Sequence, residues 1–133
     1  MKEEHFFGQV TQKVILKYKN SFVIVKEKGQ DEWILPGGRL NVDEQLEEGL
    51  IREIKEELGV DCVDQKLISV SVSHNIHKIP KVFIFYTASV VSDQEIKINH
   101  EISDFVLVSK KEDLEKYLMY SNQKEVLEKF LIL

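Results

Sequence analysis

The sequence predicts an α/β fold, a sandwich in which helices flank a mixed β-sheet. Short runs of branched and aromatic residues alternate with turn signals along most of the chain, and one central segment, Asp43–Leu58, has clear helical periodicity. With 133 residues, the chain fits a single domain spanning residues 1–133 and is long enough to bury a core.

Six segments have the apolar, branched composition of strands. They are Val10–Tyr18, Phe22–Val25, Trp33–Leu35, Leu67–Ser73, Val82–Val91 and Phe105–Val108. A turn at Lys19–Ser21 predicts a hairpin between the first two. The fourth segment alternates, which predicts a half-buried strand with Ile68, Val70 and Val72 on its apolar face and serines on the other.

Three helices are predicted from their end signals. Asp43 is a good N-cap for the central helix, and Gly59 follows its last turn. The segment Ser109–Glu112 has the spacing of a capping box and predicts a helix that runs to Leu118. Ser121 is predicted to cap a last helix that ends at Phe130 or beyond.

Charge and cysteine content narrow the classes of partner and location. The formal net charge of −5 argues against a nucleic acid duplex as partner, since proteins that bind phosphate backbones carry a basic face. A small anionic ligand remains compatible if a metal ion supplies positive charge. Cys62 is the only cysteine, and no apolar stretch is long enough for a signal peptide or a membrane span. We therefore expect no membrane association and a reducing, cytoplasmic location.

The central helix carries an arc of three acids. Glu53, Glu56 and Glu57 fall beside the apolar face, and Glu57 overlaps the core side. Such an arc is often only a solvated face. Here like charges three and four residues apart repel, and a carboxylate at the core boundary loses hydration. A hard divalent cation would remove both costs, so the arc is a candidate Mg²⁺ site.

Four nearby residues extend this hypothesis. Gly49 lies within the acidic arc, where it either leaves room over a metal or is merely tolerated packing. Arg52 can reach Glu56 one turn later, either to orient it or as a routine surface ion pair. Gly37 and Gly38 follow a predicted strand and would let the backbone approach a ligand closely.

From Gly38 onward the sequence resembles the Nudix box, G-x5-E-x7-R-E-U-x-E-E-x-G-U, where U is a bulky aliphatic residue. The specified positions all match, and they are Gly38, Glu44, Arg52, Glu53, Ile54, Glu56, Glu57, Gly59 and Val60. The preceding Trp33–Gly37 is also similar to the family's approach to the box. Asp43 and Gly49 depart from common usage at positions that the box leaves open. The resemblance implies a Nudix-type α/β/α sandwich, with Glu44 pairing near the helix start.

The resemblance also implies roles for the acidic arc. Glu53 and Glu57 would be the principal ligands of Mg²⁺, with Mn²⁺ as a substitute ion. Glu56 would be a further ligand or an acid/base group. A main-chain oxygen of Gly37 or Gly38 would complete the metal shell, and Arg52 would hold a catalytic glutamate in place.

Residues outside the box are second-tier candidates. Glu101 precedes the last predicted strand, where many family members carry a glutamate that reaches the metal or acts as base; the alternative is a loop acid in solvent. Candidates for contact with a base or sugar are Trp33, His74, His77, Phe83, Phe85 and Tyr86. Core packing or a polar strand end is the alternative for each of these residues.

The function implied is Mg²⁺-dependent hydrolysis of a diphosphate linkage in a small nucleotide-like substrate. Cleavage of a (deoxy)nucleoside triphosphate to the monophosphate and pyrophosphate suits the short chain. ADP-ribose, ADP-sugars and dinucleoside polyphosphates remain open as substrates, as do the identity of the general base and a homodimeric state. The alternative of another class is a non-catalytic Nudix-fold nucleotide sensor, although such proteins usually lack box carboxylates.

Overall fold

The computed structural model describes residues 4–74 and 78–133 as an α/β/α sandwich. The strands are β1 Gln9–Tyr18, β2 Ser21–Glu27, β3 Trp33–Ile34, β4 Gly37–Arg39, β5 Cys62–Ser73, β6 Lys81–Val90 and β7 Ile102–Val108. The helices are α1 Leu46–Leu58, α2 Ser121–Glu128 and a 3₁₀ helix, Lys111–Lys116. The predicted fold class is confirmed.

The strands form one mixed sheet in the order β3-β2-β1-β6-β5, with β4 paired to β1 and β7 paired to β2. The β1–β6 pair is parallel and the other pairs are antiparallel. The predicted hairpin is confirmed: Lys19 and Asn20 both have positive φ, 50° and 62°, which matches the two-residue turn favoured between twisted strands.

A separate core lies on each face of the sheet, because successive side chains of a strand point to opposite faces. From β1, Val14 and Leu16 enter the core beneath α1, whereas Ile15 enters the core beneath α2. The helix α1 contributes Leu50, Ile54 and Leu58, all fully buried, as its periodicity predicts. Burial of each such side chain stabilises the fold by about 1.5–3 kcal/mol, so α1 is firmly seated.

The start of α1 differs from the prediction. The helix begins at Leu46 with Gln45 as N-cap, and Asp43 lies in the preceding turn. Glu44, expected near the first helical turn, instead accepts hydrogen bonds from the Asn41 amide and from Arg52, which holds this stretch outside the helix. The predicted end is confirmed, because Gly59 adopts the left-handed conformation at φ 67°.

The C-terminal helices are shorter than predicted. The expected helix to Leu118 is the 3₁₀ turn Lys111–Lys116, and its start is capped by Asp113, not by the predicted pairing of Ser109 with Glu112. The Asp113 carboxylate accepts bonds from the Ser109 and Lys110 amides at 3.0 and 2.9 Å. The last helix, α2, ends at Glu128.

The alternating strand is longer than predicted and its faces differ from the expectation. It is the edge strand β5, and a register shift between Leu67 and Ser69 disrupts the alternation, so Ile68 packs on the α2 side. Val70 and Val72 remain 55% and 49% exposed. Ser71 is paired with Phe83, whose ring lies in the α2-side core, so the serine face points toward α2 and not away from the protein.

None of the helices in the two described ranges has the length and hydropathy needed to cross a membrane. Cys62 is buried at the start of β5, and burial raises the pKa of its thiol. These properties fit the inert role predicted for Cys62.

Candidate active site

Two adjacent glycines bring the backbone of β4 against α1. The Gly37 amide donates a hydrogen bond of 2.9 Å to Oε1 of Glu57. Gly37 has φ 132°, and a Cβ there would lie 2.0 Å from the main-chain oxygen of Gln12 in β1. Only glycine therefore allows β4 to pair with β1 this closely while its amide reaches Glu57.

Gly38 contacts the second predicted metal ligand. A Cβ built on Gly38 would lie 2.5–2.8 Å from the carboxyl carbon and both carboxyl oxygens of Glu53. The Glu53 carboxylate thus lies directly over the Gly38 α-carbon, with 17% of its side chain exposed. The structure brings together four of the predicted residues, because Glu53 and Glu57 both meet the Gly37–Gly38 segment.

Arg52 links the loop before α1 to two glutamates. Its Nε and Nη2 donate to the two oxygens of Glu44 at 2.6 and 2.9 Å. Its Nη1 donates to Glu53 at 2.9 Å and to Glu56 at 3.2 Å. Its Nη2 also donates to the main-chain oxygen of Arg39. Arg52 therefore orients the carboxylates of both Glu53 and Glu56, and a catalytic role for either glutamate stays a prediction.

These contacts shift the pKa values of the network. Hydrogen bonds to the Glu44 carboxylate raise the pKa of the Arg52 guanidinium, and the same bonds lower the pKa of Glu44. Burial raises the pKa of Glu53, although Arg52 opposes this shift. Glu44 thus orients the Arg52 guanidinium, and Arg52 in turn orients Glu53.

Glu57 and Glu56 differ sharply in their surroundings. Glu57 is 4% exposed, as its overlap with the core side predicted, and burial raises the pKa of its carboxyl. The Glu56 side chain is 54% exposed and its only carboxylate contact in the described chain is with Arg52. Glu57 is therefore held inside the site, whereas Glu56 lies at its solvent boundary.

Lys13 is a residue of the site that the sequence analysis missed. It is 6% exposed in β1, and its Nζ donates to the main-chain oxygen of Leu35 at 3.1 Å. Burial lowers the pKa of the Lys13 ammonium, while the charges of Glu57 and Glu27 oppose that shift. The one signal in the sequence was a lysine within the apolar run of β1. Lys13 supplies positive charge beside the buried carboxylate of Glu57.

A cavity of about 830 Å³ opens on the α2 face of the sheet next to the two glycines. Its basic lining residues are Lys13, Arg39, Lys78 and Lys81. Its other lining residues include Thr11, Glu27, Ser71, Phe83, Tyr120 and Gln123. The volume lies within the range of small-molecule sites, and the cations suit an anionic ligand.

The structure places the predicted base-contacting residues mostly outside this cavity. Trp33 packs edge-on against Tyr117 at 5.0 Å in the α2-side core. The Tyr86 hydroxyl donates to Gln12 at 2.7 Å within the opposite core. His74 is exposed, and its ring contacts Phe6. Of the aromatic candidates, Phe83 lines the cavity.

His77 lies outside the described residues. Phe85 is almost fully buried beneath Phe83, the two rings stacking at 6.0 Å. The residues of β1 that lie opposite Phe83 and Phe85 are set by the register between β1 and β6, which no local sequence pattern reveals.

Glu101 lies on a loop anchored to the end of α1, where the Asn99 amide donates to the Glu57 main-chain oxygen at 3.2 Å. The Glu101 side chain is 63% exposed beside His100 and is not among the cavity-lining residues. Glu27, which the sequence analysis did not select, lines the cavity, and its charge acts on both Lys13 and Glu57.

Gly49 does not open space beside the acidic arc. A Cβ at Gly49 would lie 2.7 Å from Leu40, 3.1 Å from Gln12 and 3.2 Å from Glu44. The hypothesis of room over a metal site is therefore wrong, and Gly49 instead allows close packing of α1 against β1 and the preceding loop.

The donor set of the site fits Mg²⁺. Within residues 4–74 and 78–133, no three acidic, histidine or cysteine side chains converge closely enough to hold a metal by themselves. Glu53 and Glu57 nevertheless present oxygen donors on either side of the Gly37–Gly38 backbone. Mg²⁺ commonly uses one or two carboxylates, water and substrate phosphate, so one buried and one partly buried carboxylate meet its needs. A cation would also stabilise the charged forms that burial disfavours.

Comparison with known proteins agrees with this arrangement. Residues 10–130 match the family described as NUDIX domain. The chain is 32% identical over 96 residues to nucleoside triphosphatase NudI of Escherichia fergusonii, a match that covers 65% of this chain and 67% of NudI. It is 34% identical over 73 residues to RNA pyrophosphohydrolase of Haemophilus influenzae, covering 55% of this chain and 37% of that protein.

The fold also matches solved structures. The MutT protein of Methanosarcina mazei Go1 superposes with a TM-score of 0.77 and 22% identity, covering 96% of each chain. Together, the sheet, the helices, the box and the Gly37–Gly38 segment of β4 define a Nudix-type domain. The family match spans nearly the whole chain, and the chain belongs to the Nudix family. It spans about a third of the length of several curated relatives, 37% for the Haemophilus protein.

Proposed function

We propose that this protein is a Mg²⁺-dependent hydrolase that cleaves a diphosphate linkage in a nucleotide. Its substrate is a (deoxy)nucleoside triphosphate, and water converts it to the nucleoside monophosphate and pyrophosphate. The observation that carries the proposal is the convergence of Glu53 and Glu57 on the Gly37–Gly38 backbone at the edge of a cation-lined cavity. The name of the relative NudI, a nucleoside triphosphatase, supports the choice of substrate.

Glu53, Glu57 and a main-chain oxygen of Gly37 or Gly38 would hold the metal, with Glu56 as a further ligand. Bound Mg²⁺, or Mn²⁺ in its place, supplies a Lewis acid that stabilises charge developing on the phosphoryl oxygens. Hydrolysis replaces a phosphorus–oxygen bond to the leaving pyrophosphate with a bond to the oxygen of water.

The protein's own residues orient the reactants. Lys13 and Arg39 line the cavity beside the glycines and attract the phosphate chain. Arg52 holds Glu53 in position through a fixed guanidinium. Glu56 is half-exposed beside Arg52, so its carboxylate is the candidate to accept the proton of the attacking water. Glu101 is the alternative acceptor, on a loop joined to the end of α1.

The test is hydrolysis across a substrate panel with identification of the products. The panel contains ribo- and deoxyribonucleoside triphosphates, ADP-ribose, ADP-sugars, dinucleoside polyphosphates and 5′-triphosphorylated RNA. We expect triphosphates to be cleaved to monophosphate and pyrophosphate, with activity abolished by a chelator. Preference for another member of the panel would reassign the substrate.

Two glutamine variants on α1 provide the comparison. Glu57→Gln removes a buried carboxylate of the site and is expected to lower kcat by at least about a hundredfold. Glu48→Gln makes the same chemical change at an exposed position of the same helix and should leave kcat unchanged. Tight nucleotide binding without turnover of any panel member would refute hydrolysis and indicate a sensor.

A further inference from the structure

Four side chains form one row across the sheet at the base of the cavity. Arg39 of β4 is paired with Thr11 of β1, Thr11 with Phe83 of β6, and Phe83 with Ser71 of β5. Residues paired directly across strands project to the same face. All four line the active-site cavity, so this group, the Thr11 row, runs away from Gly37 and Gly38 across four strands.

Thr11 is the exceptional member of the row. It is 6% exposed, and its hydroxyl has no hydrogen-bond partner among residues 4–74 and 78–133. A buried polar atom without a partner is rare in proteins and costs stability. Thr11 lines the cavity, but its hydroxyl oxygen is shielded from it, so a ligand supplies the missing partner once the side chain turns about χ1 and the hydroxyl and methyl groups exchange places.

The position of Thr11 indicates which part of a nucleotide would meet it. Gly38 and Arg39 mark the reacting end of the cavity, and the Lys13 ammonium lies nearby on the same face of β1. Adjacent strands are about 4.8 Å apart, so Thr11 lies roughly 5 Å and Phe83 roughly 10 Å from that end. With the phosphates at the reacting end, the sugar falls over Thr11 and the base over Phe83.

We infer that the Thr11 hydroxyl is a specificity-determining group that hydrogen-bonds a hydroxyl of the substrate's sugar. This inference rests on the proposed function, since it takes a nucleotide as the ligand. It goes further by fixing the orientation of that nucleotide along the Thr11 row.

The test measures equilibrium binding with Mg²⁺, using non-hydrolysable α,β-methylene nucleoside diphosphates as probes. Each base is offered with ribose, 2′-deoxyribose and 3′-deoxyribose. Thr11→Val should weaken binding of the best hydroxylated probe about tenfold, the effect expected for losing one buried hydrogen bond. It should not weaken binding of the probe that lacks the contacted hydroxyl.

Three further measurements separate recognition from packing. Thr11→Ser keeps the hydroxyl and should retain most of the affinity. Thr87 lies on the same face of β6 as Phe83 but outside the cavity lining. Thr87→Val therefore makes the same chemical change away from the cavity, and this variant should bind the probes as the wild type does. The ligand-free Thr11→Val protein should unfold at the same or a higher temperature, because the substitution removes an unpartnered buried hydroxyl.

The inference would be overturned if Thr11→Val bound every sugar variant as the wild type does, or lost affinity equally for all of them. It would also be overturned if the wild type bound no probe, or if lower affinity accompanied a lower unfolding temperature. Hydrolysis of the substrate panel is scored separately. If the wild type hydrolyses a substrate but Thr11→Val affects the binding of all sugar variants equally, only the inference about Thr11 is refuted. If the effect of Thr11→Val depends on the sugar but no substrate is hydrolysed, only the proposed hydrolase activity is refuted.

Discussion

Replacing Gly38 by alanine should separate catalysis from folding. The new Cβ would lie 2.5–2.8 Å from the three atoms of the Glu53 carboxyl group, whereas ordinary contacts begin at 3.4 Å. The carboxyl group must therefore retreat by about 0.6–0.9 Å, and a misplacement of about 1 Å in a catalytic group can cost a hundredfold in rate. We expect kcat/KM to fall about a hundredfold in Gly38→Ala.

Stability should change little in this variant. The atoms that meet the new Cβ belong to the end of a flexible side chain, and Gly38 has no positive φ that would strain an alanine. The assay pairs kcat/KM on the preferred substrate with the midpoint of urea unfolding. Full activity in Gly38→Ala would refute the argument that the Glu53 carboxylate acts from its position over Gly38.

Gly37→Ala provides the contrast from the neighbouring residue. Its Cβ would lie 2.0 Å from the main-chain oxygen of Gln12, and φ 132° is a conformation that alanine rarely adopts. Backbone atoms cannot retreat as a side chain can, so β4 must separate from β1. We expect a large loss of stability together with activity, and near-normal stability in Gly37→Ala would contradict the close packing of β4 on β1.

Three further predictions concern the charges around the site. Arg52→Lys should lower kcat about 10- to 100-fold, because lysine cannot bind Glu44 in a bidentate manner and hold Glu53 at the same time. An unchanged kcat would exclude a role for Arg52 in positioning Glu53. Lys13→Met should reduce the free energy of unfolding by about 1.5–3 kcal/mol, measured in urea, because it removes the buried hydrogen bond from Lys13 Nζ to the Leu35 main-chain oxygen and the cation whose charge acts on Glu57, and adding Glu57→Gln should restore part of the loss. The pKa of Glu44 is lowered in the folded protein, so the stabilisation that its carboxylate provides is complete above the ordinary pKa of about 4.3 and is lost as pH falls through the folded value. Glu44→Gln should remove that part of the acid dependence of unfolding. Parallel pH–stability curves for the wild type and the variant would contradict this prediction.

The helix α1 illustrates what could be predicted from local sequence. Its apolar positions recur at the helical period, so the buried side of Leu50 and Ile54 and the adjoining position of Glu57 follow from geometry within one segment. The link from Arg52 to Glu56 also lies within one turn. The start of the helix was misplaced because the Glu44–Arg52 contact, eight residues apart, competes with helical capping.

Edge strand β5 shows where a local pattern misleads. Its alternation predicts one apolar and one polar face, but the register shift near Ile68 moves that side chain to the opposite core. The serine face was expected to be merely polar, yet Ser71 lines the cavity through its pairing with Phe83. Which face of a strand meets a ligand depends on its partners in the sheet.

Local sequence is enough to predict the family resemblance, the acidic arc of α1 and the glycines that approach it, because these depend on spacing within one continuous segment. Long-range packing is needed to place Lys13 near Glu57, to join Tyr86 to Gln12 in the core and to bring Thr11 to the cavity. The Tyr86–Gln12 contact and the Thr11 row depend on the parallel pairing of β1 with β6, strands separated by more than sixty residues of chain. Lys13 instead comes near Glu57 through the antiparallel pairing of β1 with β4, where Lys13 is opposite Gly37. A register between distant strands is set by the packing of both cores at once, and no short segment of sequence contains that information.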